Sequence, residues 1–153
     1  MRRRIYVDTS VVGGCLDEEF ADASQRLFQR FIAGEDILIV SDLTRLEVGR
    51  APEDVREVLS GVPPQFVEEV EFTDEARELA DAYISAQVIG LPHRVDAQHI
   101  ATATIHQVTV LASWNFKHVV NLVRIQGYNS VNLRHGYPLL EIRTPKEVLP
   151  YED

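Results

Sequence analysis

Cysteine is nearly absent from this chain: Cys15 is the only one in 153 residues. No internal disulfide can form, and a reducing cytoplasm is the compartment such usage fits. Thiol catalysis is not expected, because small buried cysteines are common in cores. Long apolar runs are missing as well. None approaches the ~18 residues of a membrane-spanning helix. The basic start Met1-Arg2-Arg3-Arg4 leads into Ile5-Tyr6-Val7 and then at once to Asp8, which is no signal peptide. There is no glycine-rich phosphate loop or dinucleotide fingerprint, and no zinc-spaced set among the five histidines. Positive charge is also short, with 15 Lys and Arg against 24 Asp and Glu, a net charge of −9. A nonspecific binder that blankets phosphates would be basic. The deficit is uneven, since residues 5–90 carry −13 and residues 91–153 carry +1 with all five histidines. An enzyme that holds one scissile phosphate through a metal needs no basic surface, and the acidic half suits a basic partner.

What remains is ordinary globular material, 45% hydrophobic and 25% charged. At this length one domain over residues 1–153 is expected, with a sizeable core. Short apolar runs alternate with amphipathic segments. A strand is read over 4–8, then a helix from Ala21 to Ala33 with Leu27, Phe28, Phe31 and Ile32 on one stripe, closed by Gly34. Ile37-Leu38-Ile39-Val40 is a run suited to a parallel strand covered on both faces. Ser41 and Asp42 open a helix containing Leu43, Leu46 and Val48, and Pro52 opens another through Leu59. Phe66–Phe72 reads as an edge strand. Thr73 caps a helix over Asp74–Gln87, another helix spans Arg94–Gln107, and Val108–Ala112 is a buried strand. A helix is expected after Trp114 to about Gln126, then a loop over Gly127–Pro138 and a last strand within Glu141–Val148. Alternating βαβ units predict a parallel sheet with right-handed crossovers.

Chemistry concentrates on oxygen donors near strand ends. Asp8 lies at the tip of the first strand, where open α/β sheets bind ligands. The other reading of Asp8 is a helix N-cap. Glu47, Asp96 and Asn115 recur at a helix, a helix start and a strand end. Two carboxylates, Asp8 and Asp96, suit Mg²⁺ or Mn²⁺ as metal ligands. Glu47 would position a metal-bound water, and Asn115 would offer a neutral oxygen or orient the substrate. Thr9 and Ser10 would hold the carboxylates by hydrogen bonds from behind. Such an ion activates water and neutralises charge in phosphodiester hydrolysis. Lys117 and His118 follow Asn115 and are candidate phosphate contacts. His99 and His106 read as structural, and Trp114 as packing.

Four ordered motifs carry a resemblance: Ile5-Tyr6-Val7-Asp8-Thr9-Ser10, Leu46-Glu47-Val48, Val95-Asp96-Ala97-Gln98-His99-Ile100-Ala101 and Ser113-Trp114-Asn115-Phe116. In order and spacing they resemble PIN domains, small metal-dependent ribonucleases that include the VapC-type toxins of toxin–antitoxin pairs. The resemblance spans residues 4 to about 149. It implies a three-layer α/β/α domain with a central parallel sheet, RNA as substrate, an antitoxin protein as partner, a homodimer and a cytoplasmic setting. It also implies acidic roles for Asp8, Glu47 and Asp96. The fourth acidic position of the family falls on Asn115, an amide. Two rivals stand beside a metal-dependent endoribonuclease. One is a catalytically degenerate PIN-like module binding RNA or protein. The other is a phosphoacceptor domain, which would want a second acid where the chain has Thr9-Ser10.

Overall fold

The computed structural model describes residues 2–151. Five parallel strands form one sheet in the order β3-β2-β1-β4-β5: β1 Arg4–Val7, β2 Ile37–Ser41, β3 Val67–Val70, β4 Val110–Ala112 and β5 Ile142–Arg143. Tyr6 pairs with Ile39 on one side and with Leu111 on the other. The helices are α1 Thr9–Gly14, α2 Ala21–Ile32, α3 Asp42–Gly49, α4 Glu53–Ser60, α5 Asp74–Ser85, α6 Arg94–Ile105, α7 Leu122–Arg134 and α8 Pro145–Val148. No helix among the described residues is long and apolar enough to cross a membrane.

Strand alternation sorts the core into two layers. Tyr6, Ile39 and Leu111 pack with α5, α6 and α7 on one face. Ile5, Val7, Leu38, Val40, Val110 and Ala112 pack with α1, α2 and α4 on the other. Because successive side chains point to opposite faces, the central strands need apolar residues at every position. That need explains the continuous run Ile37-Leu38-Ile39-Val40. The result is the expected three-layer α/β/α architecture. Its loops after β1, β2 and β4 open on one end of the sheet, as do the first turns of α1, α3 and α6.

The C-terminal third departs from expectation. Residues 116–120 form turns, and α7 begins only at Leu122, capped by Asn121, whose side chain accepts from the Arg124 amide. It then runs through Gly127 to Arg134, across much of the stretch expected to be a loop. Gly127 serves there as a point of close approach: a Cβ on it would lie 2.7 Å from Val88 Cγ1. The expected last strand divides into the two-residue β5 and α8, which opens on a Thr144–Glu147 capping box with Pro145 at its first position. The buried strand begins at Val110 instead of Val108. The short α1 follows Asp8 directly, which places Asp8 at the N-cap position that its other reading named. Between Leu46 and Leu59, Leu46 is exposed whereas Val48 and Leu59 are buried.

Candidate functional site

β1 delivers Asp8 to the carboxyl end of the sheet, where its amide donates to Ala112 O of β4. Asp8 sits at the N-cap of α1, yet its side chain makes no capping bond. Its carboxylate accepts instead from Ser10 Oγ at 2.5 Å and from Ser113 Oγ at 2.6 Å, and the residue is only 6% exposed. Burial pushes this carboxyl above the usual range, with Asp96 adding to the rise, while His99 and the two serines oppose it.

Asp96 stands in the first turn of α6 and is partly buried. The Asn115 amide faces it, donating from Nδ2 to Asp96 Oδ2 at 3.2 Å. That orientation is fixed by a backbone donor, because the His118 N–H gives its hydrogen to Asn115 Oδ1 at 2.9 Å. An oxygen must therefore occupy that side of the amide. The Asn115 amide N–H in turn donates to Ser113 Oγ at 2.9 Å. Asp8, Ser113, Asn115 and Asp96 thus form one connected chain. Burial raises the Asp96 carboxyl, with Glu47 adding to the rise and His99, His118 and His93 opposing it.

Glu47 lies on α3 and behaves differently. Burial is again the largest single influence and pushes its carboxyl up, but the bond from His99, with Nε2 2.6 Å from Oε1, the charge of His99 and the nearby Thr9 hydroxyl together hold it below the usual range. Thr9 Oγ1 is buried and reaches no partner at hydrogen-bond distance among the described residues, though it lies close enough to Glu47 to ease its ionisation. The hydroxyls that clasp Asp8 come from Ser10 and Ser113. Lys117 is exposed on the turn. His118 is buried, stacks on His93 at 3.7 Å between ring centroids, and leaves its Nδ1 without a partner among the described residues. Burial, with His93 adding, pushes the His118 imidazole below its ordinary value. Trp114 packs against Phe20 at 4.4 Å and bonds to Ser24.

Sequence reasoning missed His99, Ser113 and His93 as members of this site. His99 had a readable signal, because it lies three residues after Asp96 on one helix and so shares its face. Ser113 had one too, as the hydroxyl two residues before Asn115 in the fourth motif, whereas His93 had none, since tertiary contacts bring it in.

The donor set can be tested against a divalent cation. Mg²⁺ keeps several waters and takes one or two carboxylates whose oxygens are open to it. Here both Asp8 oxygens accept from hydroxyls, Asp96 accepts from an amide and Glu47 is held by His99. Among the described residues no three His, Cys, Asp or Glu side chains are grouped so as to hold a metal ion. As arranged, the described residues present no ready-made set of protein ligands for Mg²⁺ or Mn²⁺. A separate concavity of about 630 Å³, lined by Arg26, Arg143, Lys146 and Tyr151 among others, includes none of the four site residues.

No protein-family model matches the chain, and no curated protein matches it. Solved structures do. VapC20 of Mycobacterium tuberculosis, described as a sarcin–ricin loop cleaving toxin, is 15% identical with a TM-score of 0.54, covering 74% of this chain and 92% of that one. VapBC2 from Rickettsia felis, bound to a DNA fragment from its promoter, gives 10% identity and a TM-score of 0.57 over 92% and 98% of the two chains. FitAB bound to an IR36 DNA fragment gives 15% and 0.57 over 97% and 99%. At these identities the likeness is one of fold. The chain has a PIN-domain, VapC-like fold, three layers around a parallel sheet.

Proposed function

We propose that this chain is a catalytically lapsed PIN-like module that works by binding, with a protein partner of the antitoxin type and a homodimeric state in the cytoplasm. The observation that carries this reading is Asn115. Its amide N–H gives Asp96 the positive end of a dipole where a fourth acid would call for a cation. The net charge of −9 favours a basic protein over a nucleic-acid backbone as the main partner. The paired assemblies VapBC2 and FitAB support a protein partner by analogy of fold alone.

A second reading is a Mg²⁺- or Mn²⁺-dependent endoribonuclease, with Asp8 and Asp96 as ligands, Glu47 and Asn115 in the reaction, and Lys117 and His118 on the RNA. What favours it is that burial raises both Asp8 and Asp96, a condition that a nearby cation would reverse. One experiment separates the two. Structured and single-stranded RNA are incubated with wild type and Asp8→Asn in Mg²⁺, Mn²⁺ or EDTA. The binding module leaves RNA intact in every condition. Cleavage that needs metal and disappears in Asp8→Asn establishes the nuclease.

A further inference from the structure

We infer that His99 is a positioning residue that locks Glu47 away from Asp8 and Asp96. The inference deepens the binding-module reading and rests on it. The lock is a chain of hydrogen bonds running from the sheet into the site. The Thr44 amide donates to Ser41 Oγ at 3.2 Å, Ser41 Oγ lies 2.7 Å from the Tyr6 hydroxyl, Tyr6 lies 2.6 Å from His99 Nδ1, and His99 Nε2 lies 2.6 Å from Glu47 Oε1.

Hydrogen accounting gives the chain a direction. An ionised carboxylate has no hydrogen to offer, so Nε2 must carry one toward Glu47. At the other end, Ser41 accepts from a backbone N–H and has its own hydrogen to place. Its choices are Tyr6 at 2.7 Å or Thr44 Oγ1 at 3.4 Å, and the shorter contact is far the better bond. Tyr6 then turns its hydrogen to Nδ1. Each hydroxyl and ring nitrogen is used, and every hydrogen points toward Glu47.

Burial makes this arrangement stiff. Tyr6 and Ser41 are fully buried and His99 is 4% exposed, with its ring edge-on to Tyr6. The Glu47 side chain is 38% exposed, so it is the solvated end of an otherwise buried chain. Oε1 is committed to His99, so Glu47 offers a cation only its other oxygen unless it abandons Nε2–H and leaves a buried donor unpaired. Among the described residues the three acids form no metal-holding group.

The test is Mn²⁺ titration of the intact chain, with His99 nitrogen shifts read by NMR. In wild type the Nε2-protonated form of the ring is expected, with weak Mn²⁺ binding. His99→Leu frees Glu47 and should tighten Mn²⁺ binding about tenfold, the scale on which outer partners tune metal sites. His99→Gln, which keeps an N–H near the Nε2 position, should behave like wild type. Tyr6→Phe releases only the far end of the ring and should tighten binding by about threefold, less than the change expected on losing the direct partner. It decides the matter if His99→Leu fails to fold. Looser binding in Tyr6→Phe would make His99 a support for a metal and overturn the lock. So would a bare Nε2 in wild type. If Asn115→Asp gains Mn²⁺ binding while the His99 and Tyr6 variants stay flat, the lock fails and the binding-module reading stands. Tight Mn²⁺ binding with RNA cleavage by wild type overturns both.

Discussion

Two buried aspartates at opposite ends of the same sheet meet opposite fates. Asp36, just before β2, is 1% exposed and is held by Arg3 through both oxygens at 3.0 Å and by Arg30 at 2.7 Å. Burial pushes its carboxyl up, but the two guanidiniums outweigh that and hold it below the usual range. Asp8, at the carboxyl end, is nearly as buried but receives only hydroxyls, and its carboxyl rises. Burial alone therefore does not set the state of an acid; the charge of its partners does. The amino-terminal end is built for stability, with positive charge supplied by the chain itself. The other end gathers acids without it, the arrangement that marks functional sites more often than structural ones.

The comparison can be broken most strongly at Asp36. Asp36→Ala leaves two arginines without their shared partner. Because both are partly solvated, a loss of about 2–3 kcal/mol is expected in urea unfolding, somewhat under the figure for a fully buried pair. Asp8→Asn should lose less than about 1 kcal/mol at neutral pH or even gain stability, since it removes a buried charge that only neutral donors satisfy. Equal losses at the two sites would void the contrast.

Asn115→Asp sharpens the contrast by adding a charge to the poorer end. Without metal it should destabilise the fold by about 1 kcal/mol, a like-charge repulsion near the surface. Mn²⁺ should recover that loss in thermal melts of the variant but leave wild type unmoved.

The smallest effect is in the pH profile. Asp8 and Asp96 have raised folded values. Their share of stability is full below the unfolded value of 3.8 and is lost as pH rises through the folded ones. Asp36 has a lowered value, so its share is present above 3.8 and is lost as pH falls through the folded one. Asp8→Asn should flatten the gain in stability on moderate acidification. Asp36→Ala should flatten the collapse at lower pH. Urea midpoints measured across the acid range check both.

Much of this molecule was legible locally. The run Ile5-Tyr6-Val7 ending in Asp8, the run Ile37–Val40, and the caps Ser41 and Thr73 all encode their elements through neighbours in the chain. Burial on both faces writes itself into a strand as unbroken apolarity, and a cap writes itself as one hydroxyl before a helix. Gly127 misled because glycine signals a loop by its backbone freedom, whereas here it is needed for its missing side chain against Val88.

By itself, then, the sequence determined the layered parallel architecture and the oxygen donors carried near its strand and helix ends, because both follow from patterns of a few residues. Only the tertiary structure decided what those residues do to one another. His99 meets Glu47 across 52 positions, Ser113 meets Asp8 across 105, and the Asn115 amide is turned toward Asp96 by a backbone N–H three residues on. Hydrogen-bond direction depends on which atoms the packed layers bring within about 3 Å, and no local pattern of residue types carries that information.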